Sequence, residues 1–216
     1  MAATKTSTKT SSVRPYAGVD AADRLAERRN RLLTAGLDLL GADPQQLAEL
    51  TVRGTCRRAG LAARYFYESF ADKDEFVSEV FDWVIAEIAT TTQAAVAAAR
   101  PDDQTRAGIA NLVRAIAGDV RIGRLLFSAH LSNAVVVRKR VESTALLAML
   151  SGQHAVATLH VAENDRVKAA AHFVVGGVAQ TISAWLAGDV RFGPDELVGQ
   201  LTSLLNRLGD PALYRD

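Results

Sequence analysis

Apolar residues recur at three- and four-residue steps along almost the whole chain, which predicts helices rather than strands. From about 21 to 40, Leu25, Leu32, Gly36 and Leu39 share one face, with Arg24, Arg28 and Arg31 opposite. Gly41 to Pro44 stops this helix. Two short pieces follow. Thr51 is suited to cap a helix over 52–59, Gly60 permits a tight turn, and a second piece spans 62–67. Asp72 caps a much longer helix, with Asp74 and Glu75 placed to favour its positive N-terminal end. Along it run Phe76, Val80, Trp83, Val84, Glu87 and Ile88. Thr90–Thr92 weaken its end and Pro101 closes it.

Beyond Pro101, Ile109, Leu112, Val113 and Ile116 form one stripe, and a short element covers Gly123 to His130. Val135–Val137 have strand-like composition. Val141, Ala145 and Ala148 continue at helical spacing, and no partner strand exists, so the segment is read as helix. The last two helices are the clearest. Asn164 or Asp165 caps one whose stripe is Val167, Ala171, Val174, Val178, Ile182 and Trp185. Ala170, Phe173, Gly177 and Ala184 form a second apolar face, and Gly188 ends the helix. Pro194 sits in the first turn of the other, followed by Asp195 and Glu196. Its stripe is Leu197, Leu201, Leu204, Leu205 and Leu208, and Gly209 to Pro211 stops it. A helix with two apolar faces is buried from two sides, either at the centre of a monomer or against a second subunit. The leucine-rich final helix favours the second.

The pattern predicts an all-α fold of about nine helices. Its 216 residues, 49% of them hydrophobic, can bury a sizeable core as one large domain or two that share helices. The expected division is a disordered basic tail over 1–20, a helix-turn-helix domain over 21–75, a larger helical domain over 76–210 and a C-terminal tail over 211–216. The tail carries Lys5, Lys9 and Arg14 but no apolar run, so it is no secretory signal. A single cysteine, Cys56, excludes a disulfide framework within the chain and suits a reducing cytoplasm; it reads as a small buried filler. No stretch approaches about 20 uninterrupted apolar residues, so no membrane partner is expected.

A formal net charge of +1 carries no message about nucleic acid, so the placement of charge matters instead. Between Thr51 and Tyr67 lie Arg53, Arg57, Arg58 and Arg64, and no acidic residue. An otherwise neutral chain thus has one local basic surface, on two short helices joined by a glycine turn. That arrangement places a second helix in the DNA major groove while the first braces it.

The block resembles the TetR family of bacterial transcriptional regulators. The resemblance rests on Thr51-Val52 opening the second helix and Ala59-Gly60-Leu61 at the turn. It continues through Tyr67, Phe70, Asp72 and Lys73, and its specific part spans about 24 to 80. The closing helices, with Phe173, Gly176-Gly177, Trp185-Leu186 and Gly188, are similar to the family's dimerisation pair. The resemblance implies a homodimer through about 164–187 and 194–208. It would bind a near-palindromic double-stranded operator as a repressor and be released by a small-molecule effector. By position, Thr51, Tyr67 and Lys73 would contact phosphates, joined by Arg53, while Ala62, Ala63, Arg64 and Tyr65 would lie nearest the bases. Ala62, Arg64, Gly54, Cys56 and Pro44 to Leu47 depart from the family pattern.

No catalytic arrangement is recognisable. His130, His154, His160 and His172 include no pair at the spacing of a helical metal site, and phosphate-cradling and dinucleotide-binding loops are missing. No enzyme activity, cofactor or metal is therefore expected. Candidate ligand-binding residues are Phe81, Ile85, Phe127, His130, Met149, His172 and Trp185, chosen by side-chain type on the middle helices. They suit an apolar or aromatic effector. The alternative function is a helical protein-interaction module without DNA binding.

Overall fold

The computed structural model describes residues 19–42, 46–128 and 130–214. The tail residues Lys5, Lys9 and Arg14, and Pro44, lie outside them. Among the described residues there are nine α-helices and no strand. They are α1 (Val19–Leu40), α2 (Val52–Ala59), α3 (Ala63–Tyr67), α4 (Lys73–Ala98), α5 (Gln104–Gly118), α6 (Val120–Phe127), α7 (Ala134–Leu159), α8 (Asp165–Ala187) and α9 (Pro194–Arg207).

Side chains set most of these boundaries. The Thr51 hydroxyl accepts from the Gly54 N–H at 3.0 Å to start α2. Gly60, at φ 64°, ends it. Asp72 accepts from the Asp74 and Glu75 amides at 2.9 and 2.8 Å to start α4. Asn133 and Asn164 do the same for α7 and α8, and Gly188, at φ 83°, closes α8. Some boundaries differ from the sequence reading, and α1 begins at Val19, inside the segment expected as tail. The short element expected over Gly123–His130 is α6, Val120–Phe127, because the Asp119 carboxylate accepts from the Arg121 N–H at 2.9 Å and starts the helix early. Pro211–Tyr214, expected as tail, is a short 3-10 turn whose Tyr214 is buried.

The packing falls into two cores. The first joins α1–α4 to α6 and the start of α7, from Leu32, Leu39 and Leu40 through Phe66, Phe76, Val80 and Phe81 to Leu125 and Val136. The second joins α5, α8 and α9 through Val113, Ile116, Ile182, Leu197 and Leu201. Leu25, expected on the buried stripe of α1, is exposed. α1 packs tightly on α4 at Gly36: a Cβ there would stand 2.5 Å from Val80 Cγ2 and 2.6 Å from Phe76 Cζ. Any larger residue would force the buried Val80 and Phe76 side chains to shift.

Ion pairs tie α1, α2 and α6 together. Asp38 on α1 accepts from Arg58 Nε of α2 at 2.8 Å and from Arg121 of α6, while Asp119 holds Arg121 from its other side. Partial burial alone would push the Asp38 carboxyl up. The hydrogen bonds and charges of Arg58 and Arg121 outweigh it and leave the group below the ordinary carboxylate range. The Asp119 carboxyl is held down chiefly by the Arg121 side chain. A carboxyl lowered on folding contributes stability that is complete above its unfolded value and is lost as pH falls through its folded value. Thermal unfolding between pH 7 and 2 should therefore show an acid limb that is flatter in Asp38→Asn. An equally steep limb in the variant would show that Asp38 makes no net contribution.

Candidate nucleic-acid interface

Helices α2 and α3, the candidate reading pair, are anchored from beneath by aromatic rings. Phe66 on α3 is buried and meets Phe70 and Phe76, with ring centroids 5.4 and 5.2 Å away. Phe70 and Phe76 close the triangle at 5.0 Å. With Phe66 turned inward, a five-residue helix turns the rest of its side chains outward. Ala62, Ala63, Arg64 and Tyr67 are exposed, and Tyr65 is half-buried. The Tyr67 ring packs edge-on against Phe66 at 5.5 Å while the residue stays 62% exposed. Thr51 and Arg53 are exposed on the adjoining end of α2, as is Lys73 in the first turn of α4.

The arginines divide into two sets. Arg57 and Arg58 are engaged by Glu49 at 2.8 Å and Asp38 at 2.8 Å. Of the arginines expected on the polar face of α1, Arg28 and Arg31 instead fasten the α2–α3 pair, joined by Arg29. Arg31 donates to the Ala59 carbonyl at 2.6 Å, capping the C-terminus of α2. Arg29 donates to the Ser69 carbonyl at 3.0 Å and to Glu79 at 2.7 Å, with its guanidinium 4.7 Å from the centre of the Phe70 ring. Arg28 meets Glu68 at 3.5 Å and lies over Tyr65 at 4.6 Å. The structural arginines Arg29 and Arg31 leave no local sequence signature, since their acceptors are backbone carbonyls. Arg53, Arg64 and Lys73 form the second set, for which no carboxylate partner is found among the described residues. Asp72 and Glu75, beside Lys73, are committed to backbone amides.

Gly54, which departs from the family pattern, has a structural reason. A Cβ at this position would stand 2.1 Å from the Glu49 carbonyl oxygen, so the 3-10 turn of Gln46–Glu49 can lie against α2 only because residue 54 has no side chain. Cys56 is buried beside it, and burial pushes its thiol pKa up, which disfavours the thiolate.

The candidate ligand residues are dispersed. Phe81 is buried in the first core and Ile85 packs at its margin, whereas Phe127 touches both cores. Trp185 packs on the second core and donates its indole N–H to the Phe192 carbonyl at 2.9 Å. His130 lines a small pocket with Leu40, Arg124 and Leu131. Met149 and His172 share a groove of about 400 Å³ between α7 and α8, floored by Ala148, Gly152, Val156 and Val167. Among the described residues, no group of three or more His, Cys, Asp or Glu could hold a metal ion.

No protein-family model and no curated relative matches the sequence. Solved structures do match. One is the fatty acid degradation regulator FadR from Bacillus halodurans, with a TM-score of 0.62, 15% identity, and coverage of 82% of this chain and 94% of that one. Another is a TetR-like transcriptional regulator from Rhodococcus sp. RHA1, with a TM-score of 0.63, 16% identity, and coverage of 84% and 95%. At these identities the likeness establishes the architecture: the chain has the all-α fold of the TetR-like transcriptional regulators.

Proposed function

We propose that the chain is a DNA-binding transcriptional repressor that grips a near-palindromic operator as a homodimer and is released by a small apolar or aromatic ligand. The observation that carries this reading is the exposed face of α2 and α3. There Arg53, Arg64 and Lys73 form no ion pair among the described residues, and Tyr67 is exposed beside them, while the neighbouring arginines are consumed by structure. Thr51, Arg53, Tyr67 and Lys73 serve the phosphates, and Ala62, Ala63, Arg64 and Tyr65 face the bases. The fold of known regulators supports the same reading. Three cations without an ion pair on one face suit a phosphate-bearing partner better than a protein-interaction module.

Titration of the purified protein with duplex DNA from upstream of its own gene tests this. Affinity should fall with salt at a logarithmic slope of about −0.9 per phosphate neutralised. Tyr67→Phe combined with Lys73→Ala should weaken binding to all duplexes alike and flatten that slope. Salt-independent binding, or none, would favour the interaction module.

The dimer reading draws on α8. It is the one helix among the described residues long and apolar enough to cross a membrane by length and composition, yet only 11% of its apolar window is buried. Phe173 is 70% exposed, and a Cβ added at Gly176 or Gly177 would meet nothing within 4 Å. Leu186 and, on α9, Leu204 are exposed as well. An apolar knob beside two glycines on one face is self-complementary across a two-fold axis. Light scattering should give a dimer for the parent protein and a monomer for Phe173→Glu; a dimeric variant would place the interface elsewhere. The ligand is assigned to the larger helical region, where Met149 and His172 already share the α7–α8 groove.

A further inference from the structure

We infer that Arg64, held in place by Tyr65, reads a guanine in each half of the operator and is the main source of sequence specificity in α3. The inference rests on the DNA-binding reading and deepens it.

Three observations carry it. First, α3 offers the bases very little else. Ala62 and Ala63 are exposed but end in methyl groups, which can meet a thymine methyl and make no hydrogen bond. Phe66 is buried, and the Tyr65 hydroxyl accepts from Arg64, which leaves it a single O–H to donate. Second, Arg64 is pre-positioned in the free protein. Its Nη2 donates to the Tyr65 hydroxyl at 2.7 Å, and its guanidinium carbon lies 4.7 Å from the centre of the Tyr65 ring. Tyr65 is itself half-buried beneath the Arg28 guanidinium at 4.6 Å, so the platform is fixed to α1. A long, exposed side chain ordinarily loses much rotamer freedom on binding, and one already stacked loses less. Third, the acid nearest in sequence on the same helical face, Glu68, is drawn to Arg28 at 3.5 Å.

One N–H of the Arg64 fork is used on the tyrosine and the rest remain to donate. Guanine is the base whose major-groove edge presents two acceptors, O6 and N7, to such a fork. Adenine places an amino donor where O6 would be, and the pyrimidines offer no such pair.

Selection of bound sequences from random duplexes, run with the full-length protein and three variants, tests this. The parent should enrich a two-fold motif containing a guanine at one position of each half. Arg64→Gln should lose preference at that position by about 5- to 150-fold while leaving the rest of the motif intact. Arg64→Lys should keep guanine more weakly. Tyr65→Phe retains the ring and removes the hydroxyl, and should relax the same position by about 3- to 10-fold with an unchanged salt slope. Should Arg64→Gln select the parental motif, weaken every duplex equally and flatten the salt slope, Arg64 is a phosphate contact and the inference is overturned. Failure of the parent to enrich any sequence would instead overturn the DNA-binding reading on which it stands.

Discussion

Gly54→Ala is expected to destabilise the protein by about 2 kcal/mol and to abolish operator binding, even though alanine is the better helix former. In an open helix the exchange would gain about 1 kcal/mol. Here the new methyl would stand 2.1 Å from the Glu49 carbonyl oxygen and 3.2 Å from its carbon, both backbone atoms that cannot rotate aside. Overpacking of this kind costs roughly 1–3 kcal/mol and sometimes more, which outweighs the propensity gain. Relief requires α2 to move off the Gln46–Glu49 turn, carrying Arg53 with it and loosening the Thr51 cap. Gly108→Ala on α5 is the matched control, because a Cβ there would meet only Val96 Cγ2 at 3.5 Å and Thr92 Cγ2 at 3.8 Å, ordinary contact distances. It should stabilise by up to about 1 kcal/mol and leave DNA affinity unchanged. Chemical denaturation and duplex titration of both variants check the pair. A stabilising effect at residue 54 would show that the turn yields without cost.

Arg140→Met should be the most damaging single change away from the reading pair, costing about 3 kcal/mol. Arg140 on α7 donates to the Leu125 carbonyl at 2.6 and 3.0 Å, to Ser128 at 2.8 Å and to Arg124 at 3.0 Å. It thereby caps the C-terminal end of α6 with a cation, where the helix dipole favours one. Burial lowers its pKa, so the charge is kept by these carbonyls against a real desolvation cost. Methionine fills comparable volume and offers no donor. It leaves the Leu125 carbonyl without its cap in a part-buried site, at a penalty typical of lost charged hydrogen bonds. Denaturant unfolding measures the loss, and hydrogen exchange locates it: amides of α6 should exchange faster while those of the α5–α9 core keep their protection. Unchanged α6 protection would show that the cap is dispensable.

These two residues also mark where the sequence stops being readable. Thr51, Gly60, Asp72, Asn164 and Gly188 were legible because a cap is a side chain bonding a backbone group a few residues away. Val135–Val137 are legible as helix because the residues after them keep the period. The start of α6 was missed although Asp119 is a good cap, since Val120 and Ile122 give no clear periodic onset before Gly123. Arg31, Arg121 and Arg140 were out of reach for another reason. Arg121 meets Asp38 across 83 residues, and Arg31 and Arg140 bond carbonyls, which every residue possesses. The scatter of the ligand candidates has the same origin: helical periodicity says that Phe81 or Trp185 faces inward and not which neighbours it meets.

Cys56 is the chain's sole sulfhydryl and lies on the buried face of α2. A thiol-specific dye can reach it only when the reading pair lifts from α1. The rate of dye uptake is therefore a built-in clock for that opening, readable without mutation, label or knowledge of the operator. Any duplex or small molecule that clamps or loosens this end of the molecule will announce itself as a change in that rate.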